Sequence, residues 1–164
     1  MKKISYLLIS LILLINIGAC TGYKPIFSAS KLELIIDDYS ISGNKKLGNQ
    51  IYSKLHNLSQ SSKQTSNAKN VYVLINISKN KSATTKDSAG KILGYRINLS
   101  TTITITNLMT GNKILNNDFS YTSTYKTQDQ FSETVKLENK TIENLINKTY
   151  QDLLIKLSEN ILSK

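Results

Sequence analysis

Cys20 and His56 are the only thiol and the only imidazole among 164 residues. No convincing pairing of a nucleophile with a base can be read around them. The serines and threonines have no His or Lys partner at a motif-like spacing, and the scattered glycines form no phosphate-cradling or dinucleotide pattern. Asp37-Asp38 follows a short apolar run, where a catalytic acid could sit, but aspartates in that position read more simply as a solvated turn. One His with no nearby Cys cannot anchor a metal. The chain thus reads as non-enzymatic, with no catalytic residues, no metal site and no cofactor. What remains is electrostatic. Lys79, Lys81, Lys86, Lys91 and Arg96 gather around Gly90 in a polar link. Clustered ammonium groups attract phosphate or carboxylate ligands, and Arg96 adds a bidentate fork. The strand end from Tyr121 to Tyr125 is a second candidate surface, although aromatic rings on one strand face first suggest sheet packing.

The remaining chemistry belongs to Cys20. Met1-Lys2-Lys3 is followed by an apolar run from Ile4 to Ile15, interrupted by Ser5 and Ser10, and then by Ile17-Gly18-Ala19-Cys20. Charge, apolar stretch and small residues in that order make a signal peptide. With the cysteine it resembles the lipobox of bacterial lipoproteins, in which the thiol is alkylated by diacylglycerol and the new amino group is acylated. A transmembrane anchor is the competing reading, but the run is shorter than the roughly 20 residues that span hydrocarbon. Each buried methylene contributes about 0.8 kcal/mol, so several acyl chains make the attachment effectively permanent. Residues 1–19 are read as the signal, 20–30 as a lipidated tether and 31–164 as one domain. Thr21 stands where an Asp retains enteric lipoproteins in the inner membrane, which points to the periplasmic side of the outer membrane.

The formal net charge is +10, of which Lys2 and Lys3 carry two. Cys20 to Gln128 holds fourteen Lys and Arg against five carboxylates, a balance of +9, whereas Asp129 to Lys164 stands at −1. A basic domain binds nucleic acid, binds an anionic lipid surface, or is merely soluble and lysine-rich. Export removes nucleic acid.

The periodicity predicts the elements that carry these residues. Leu32 to Ile36 suits a strand ended by Asp37-Asp38 and Ser42-Gly43-Asn44; Leu47, Ile51, Leu55 and Leu58 share one helical face, with Ser42 or Asn44 as cap. Ser59 to Asn70 reads as a polar loop. Val71, Val73, Ile75 and Ile77 alternate with Tyr72, Leu74, Asn76 and Ser78, and Ile97, Leu99, Ile103 and Ile105 alternate with polar neighbours. Leu108 to Asn112 is a turn into a fourth strand, from Leu115 through Tyr125. Thr127 and Gln130 have capping-box spacing before a helix carrying Val135, Ile142, Ile146, Tyr150, Leu153, Leu157 and Ile161, with a break expected near Asn139. The result is an α+β two-layer sandwich, a mixed or antiparallel four-stranded sheet covered on one face by two helices.

In that frame Gly22, Tyr23, Lys24, Pro25, Ile26 and Phe27, then Leu93 to Leu99, the Thr110-Gly111 turn, Ser120-Tyr121, Tyr125 and a long final helix follow an order similar to the lipopolysaccharide-assembly lipoproteins (the LptE family). The chain departs from the family pattern at Thr21 and in its many Lys and Asn residues. The resemblance implies an outer-membrane lipoprotein that partners a large β-barrel translocon (LptD type), assists insertion of lipopolysaccharide at the cell surface, and binds lipopolysaccharide through basic residues near strand ends. The other reading is a periplasm-facing lipoprotein scaffold of a different envelope transport machine, without lipopolysaccharide contact.

Overall fold

The computed structural model describes residues 34–61 and 68–162. The expected signal peptide, Cys20 and the tether lie outside the described residues. Element order is β1 (Leu34–Gly43), α1 (Lys45–Ser61), β2 (Lys69–Lys86), β3 (Ile92–Asn107), β4 (Lys113–Lys126) and α2 (Phe131–Leu162). The four strands form one sheet in the order β1-β2-β3-β4. β1 runs parallel to β2, as a crossover through α1 permits, and the other pairings are antiparallel. This is the α+β sandwich that the periodicity predicts.

Alternation decides which face is covered. Val71, Val73, Ile75 and Ile77 of β2 stand opposite Asn107, Ile105, Ile103 and Thr101 of β3, and all four are fully buried. Ile97, Leu99 and Ile103 are equally inaccessible. They join Leu47, Ile51 and Leu55 of α1 and Ile146, Leu153 and Leu157 of α2 in one core. Burying such side chains contributes roughly 1.5–3 kcal/mol each, which makes this seam the main stabilising feature of the domain. The opposite face is polar. Thr102 bonds Asp118 at 2.6 Å and Thr104 bonds Asn116 at 2.8 Å across β3 and β4, so the bare side of the sheet is laced by hydroxyl and amide groups.

Six local expectations are corrected. β1 does not end at Asp37-Asp38; its register shifts between Ile36 and Asp38, and it continues to Gly43. The bulge frees the Ile36 N–H, which donates to Ser59 Oγ at 3.1 Å. Ser59 is accordingly a buried residue of α1 and not the start of a loop. The stretch from Lys79 is no link, because β2 runs on to Lys86 in register with β3. α2 is continuous through Asn139. Nor does Thr127 make a capping box. Its hydroxyl donates to the Ile92 carbonyl at 3.1 Å, while Thr134 Oγ1 accepts the Gln128 N–H at 2.8 Å. That bond turns Thr134 inward and leaves Val135, expected in the buried stripe, exposed. Asn44 does cap α1, accepting from the Leu47 N–H at 3.2 Å.

Candidate functional site

The period-two stripe of β2 does not stop at Ile77. Lys79 and Lys81 occupy its next two inward positions, opposite Leu99 and Ile97. There the helix layer supplies a carboxylate: Glu138 of α2 accepts from Lys79 Nζ at 3.3 Å and from Lys81 Nζ at 2.5 Å. The Tyr125 hydroxyl donates to the same carboxylate at 2.9 Å. Lys81 Nζ also lies 4.1 Å from the centre of the Tyr95 ring, which packs on Tyr125 at 5.7 Å. Burial works against ionised Glu138, but the hydrogen bonds from Lys81 and Tyr125, the Lys81 charge and the bond from Lys79 outweigh it and hold the carboxyl below its usual value. For Lys81, burial is likewise outweighed by the bond to Glu138, and its pKa is raised. Burial first, and Glu138 after it, raise Tyr125. These groups close the open end of the core.

The five basic residues are therefore divided. Lys79 and Lys81 are bound into the sandwich. Arg96 stands opposite Ser82 and Thr124 on the bare, polar side of the sheet. Lys86 ends β2, and Lys91 flanks a turn in which Asp87 Oδ1 accepts from the Ala89 and Lys91 N–H groups at 3.0 and 2.8 Å. Arg96 lines an open cleft of about 820 Å³ with Thr84, Thr124 and Lys126. Lys126 carries no signal in the sequence, because only the β3–β4 register shows that it pairs with Gly94 beside Arg96. Gly94 gives the cleft its narrow floor, since a Cβ there would meet Thr84 Oγ1 at 3.0 Å. Two cations and several hydroxyls in an open cleft suit an anionic ligand with phosphate-like oxygens.

The Tyr121–Tyr125 strand end is occupied internally. Tyr121 donates to Asp152, and Lys148 Nζ sits 4.7 Å from its ring centre. His56 lies beside the Tyr52 hydroxyl at 3.3 Å and Gln60 at 2.8 Å, an edge position. Among the described residues no group of three or more His, Cys, Asp or Glu is arranged to hold a metal, and no helix is long and apolar enough to cross a membrane.

No protein-family model matches the chain, and no curated protein matches it in sequence. Solved structures do match in fold. A protein from Caulobacter crescentus assigned as a lipoprotein superposes with a TM-score of 0.55 at 12% identity, over 80% of this chain and 91% of its own. Rare lipoprotein B from Shewanella oneidensis gives 0.52 at 11%, over 77% and 98%. A minor lipoprotein from Acinetobacter baumannii gives 0.52 at 14%, over 79% and 92%. At these identities the likeness is one of fold: small lipoproteins of Gram-negative bacteria share this sandwich.

Proposed function

We propose that the chain is a non-enzymatic lipoprotein, anchored through Cys20 to the periplasmic side of the outer membrane, that partners a β-barrel and assists insertion of lipopolysaccharide at the cell surface. The observation that carries the reading is the agreement between an N-terminal lipobox at Cys20 and a sandwich shared with small lipoproteins, rare lipoprotein B among them. The cleft at Arg96 and Lys126 supports the lipid-handling part, since lipid A phosphates are dense anions that a fork and an ammonium can engage. Lys86 and Lys91 add field at the same end of the sheet, whereas Lys79 and Lys81 act on the fold through Glu138. Mild-detergent purification of the tagged full-length chain from its own membranes tests the partnership. The expected result is an outer-membrane barrel in stoichiometric amount; recovery of inner-membrane transporter subunits instead overturns it and favours the scaffold reading. Arg96→Ala with Lys126→Ala is expected to weaken lipopolysaccharide binding, more at low salt, while leaving barrel association intact.

A further inference from the structure

The end of the sheet opposite the basic cleft carries an exposed apolar apex. Met109 is 87% and Leu108 48% exposed, at the turn between β3 and β4. The turn is built to hold them out. Asn107 Oδ1 accepts from the Met109 and Thr110 N–H groups at 2.8 and 3.1 Å, Gly111 N–H donates to the Asn107 carbonyl at 2.9 Å, and Gly111 takes a φ of 69° that L side chains rarely adopt. The ordered turn thus holds two adjacent apolar side chains in water as a small tip.

Its position names the occupant. The Leu108 N–H donates to the Asn70 carbonyl at 2.9 Å, and Asn70 pairs with Ile35 of β1. The apex thus lies about two strand spacings, roughly 10 Å, from the point where the chain enters the domain at Leu34. Only residues 21–33 separate that point from Cys20, a contour of about 50 Å at full stretch. Lys69 and Lys113, both exposed, flank the turn at the starts of β2 and β4.

We propose that the Leu108-Met109 turn is a second membrane contact, inserting its apolar apex into the phospholipid surface that holds the acyl chains, with Lys69 and Lys113 facing anionic headgroups. The inference rests on the lipid-anchor part of the function proposed above, and not on the barrel partnership. Apolar tip and basic collar are the combination that binds an interface, and tethering raises the local concentration of bilayer so that a weak contact suffices. The contact fixes orientation: the basic cleft, at the other end of the strands, then faces away from the membrane surface.

The chain contains no tryptophan, so a single introduced indole reports on its own surroundings. Met109→Trp, with Leu108→Trp as a second variant and Ala89→Trp at the opposite turn as control, is purified as the acylated full-length chain and reconstituted into phosphatidylethanolamine–phosphatidylglycerol vesicles with brominated acyl chains. The indole at 109 or 108 is expected to emit at shorter wavelength and to be quenched several-fold more than the one at 89. Lys69→Gln with Lys113→Gln is expected to weaken the contact about fivefold per lysine in the anionic vesicles only. Equal quenching at the two turns, or none at 108 and 109, overturns the proposal. Shielding from aqueous acrylamide only when a co-purified protein is present, without bromolipid quenching, also overturns it and assigns the apex to that protein. Intact mass scores the anchor separately. If the purified chain carries no acyl mass, the anchor reading fails, and quenching of the same variants mixed with the same vesicles still decides whether the apex binds lipid.

Discussion

Glu138→Ala is the perturbation whose cost can be worked most closely from the structure. The carboxylate takes hydrogen bonds from Lys79, Lys81 and Tyr125. The lysines stand at the rim, with side chains 27% and 33% exposed, so each ammonium can turn to water, and losing each pair costs at most about 1 kcal/mol. Tyr125 is only 7% exposed, and its hydroxyl is left without its acceptor at a cost of about 1–3 kcal/mol. The expected loss is roughly 2–3 kcal/mol, or about 10 °C in Tm for a domain of this size. Glu138→Gln keeps one acceptor and should cost about half as much. The pH dependence has two limits. Glu138 has a lowered folded pKa, so its contribution is complete above the unfolded value of about 4.3 and is lost as pH falls through the folded one. Lys81 has a raised folded pKa, so its contribution is complete below about 10.4 and is lost as pH rises through the folded one. Urea denaturation of wild type and Glu138→Ala across pH should therefore show the largest gap in the neutral range, narrowing at both extremes. A gap below about 0.5 kcal/mol at neutral pH would refute the assignment of Glu138 as the group that closes this end of the core.

Gly43→Ala should destabilise the domain by more than about 2 kcal/mol in the same assay, because a φ of 76° alone costs about 1–2 kcal/mol and the added Cβ is driven against the Ile77 carbonyl oxygen. Thr101→Val should stabilise it by about 1 kcal/mol: the Thr101 hydroxyl is buried with no hydrogen-bond partner, and valine replaces it in nearly the same shape. Burial first, and then the bond to Asp152, push Tyr121 up to about 12. Its contribution is thus complete below the unfolded value of about 10 and is lost between the two values as pH rises. Several tyrosines titrate late, Tyr125 among them, and the most delayed component of the phenolate absorbance should disappear in Tyr121→Phe.

The strands and helices were legible because burial on one side of a sheet imposes a period of two, and a helix lying on it imposes its own period. Val71 to Ile77 and Ile97 to Ile105 show the first period, broken in residue type only by Leu74 outward and Thr101 inward, and Leu47 to Leu55 the second. Where that period continues in charged residues, the sequence misleads. Lys79 and Lys81 look like a polar link, yet they hold the inward positions because Glu138, 57 residues beyond Lys81, is there to receive them. A partner so distant in sequence leaves no local signal. The alternation itself was the available clue, since continuing it by two steps puts both lysines on the covered face and Arg96, of opposite parity in β3, on the bare one. The Asp37-Asp38 bulge was hidden for a related reason: its freed N–H is satisfied by Ser59, across the α1 crossover. Lys126 joined the candidate site only through the register of β3 against β4.

The central claim, that this chain serves delivery of lipopolysaccharide to the cell surface, is tested most directly by depleting it from the cells that make it and measuring lipopolysaccharide accessible from outside. The account predicts that surface lipopolysaccharide falls as the chain disappears and that newly made lipopolysaccharide accumulates behind the outer membrane. It also predicts that both effects are reversed by the wild-type chain but not by Arg96→Ala combined with Lys126→Ala. Surface lipopolysaccharide that stays unchanged after complete depletion would contradict it.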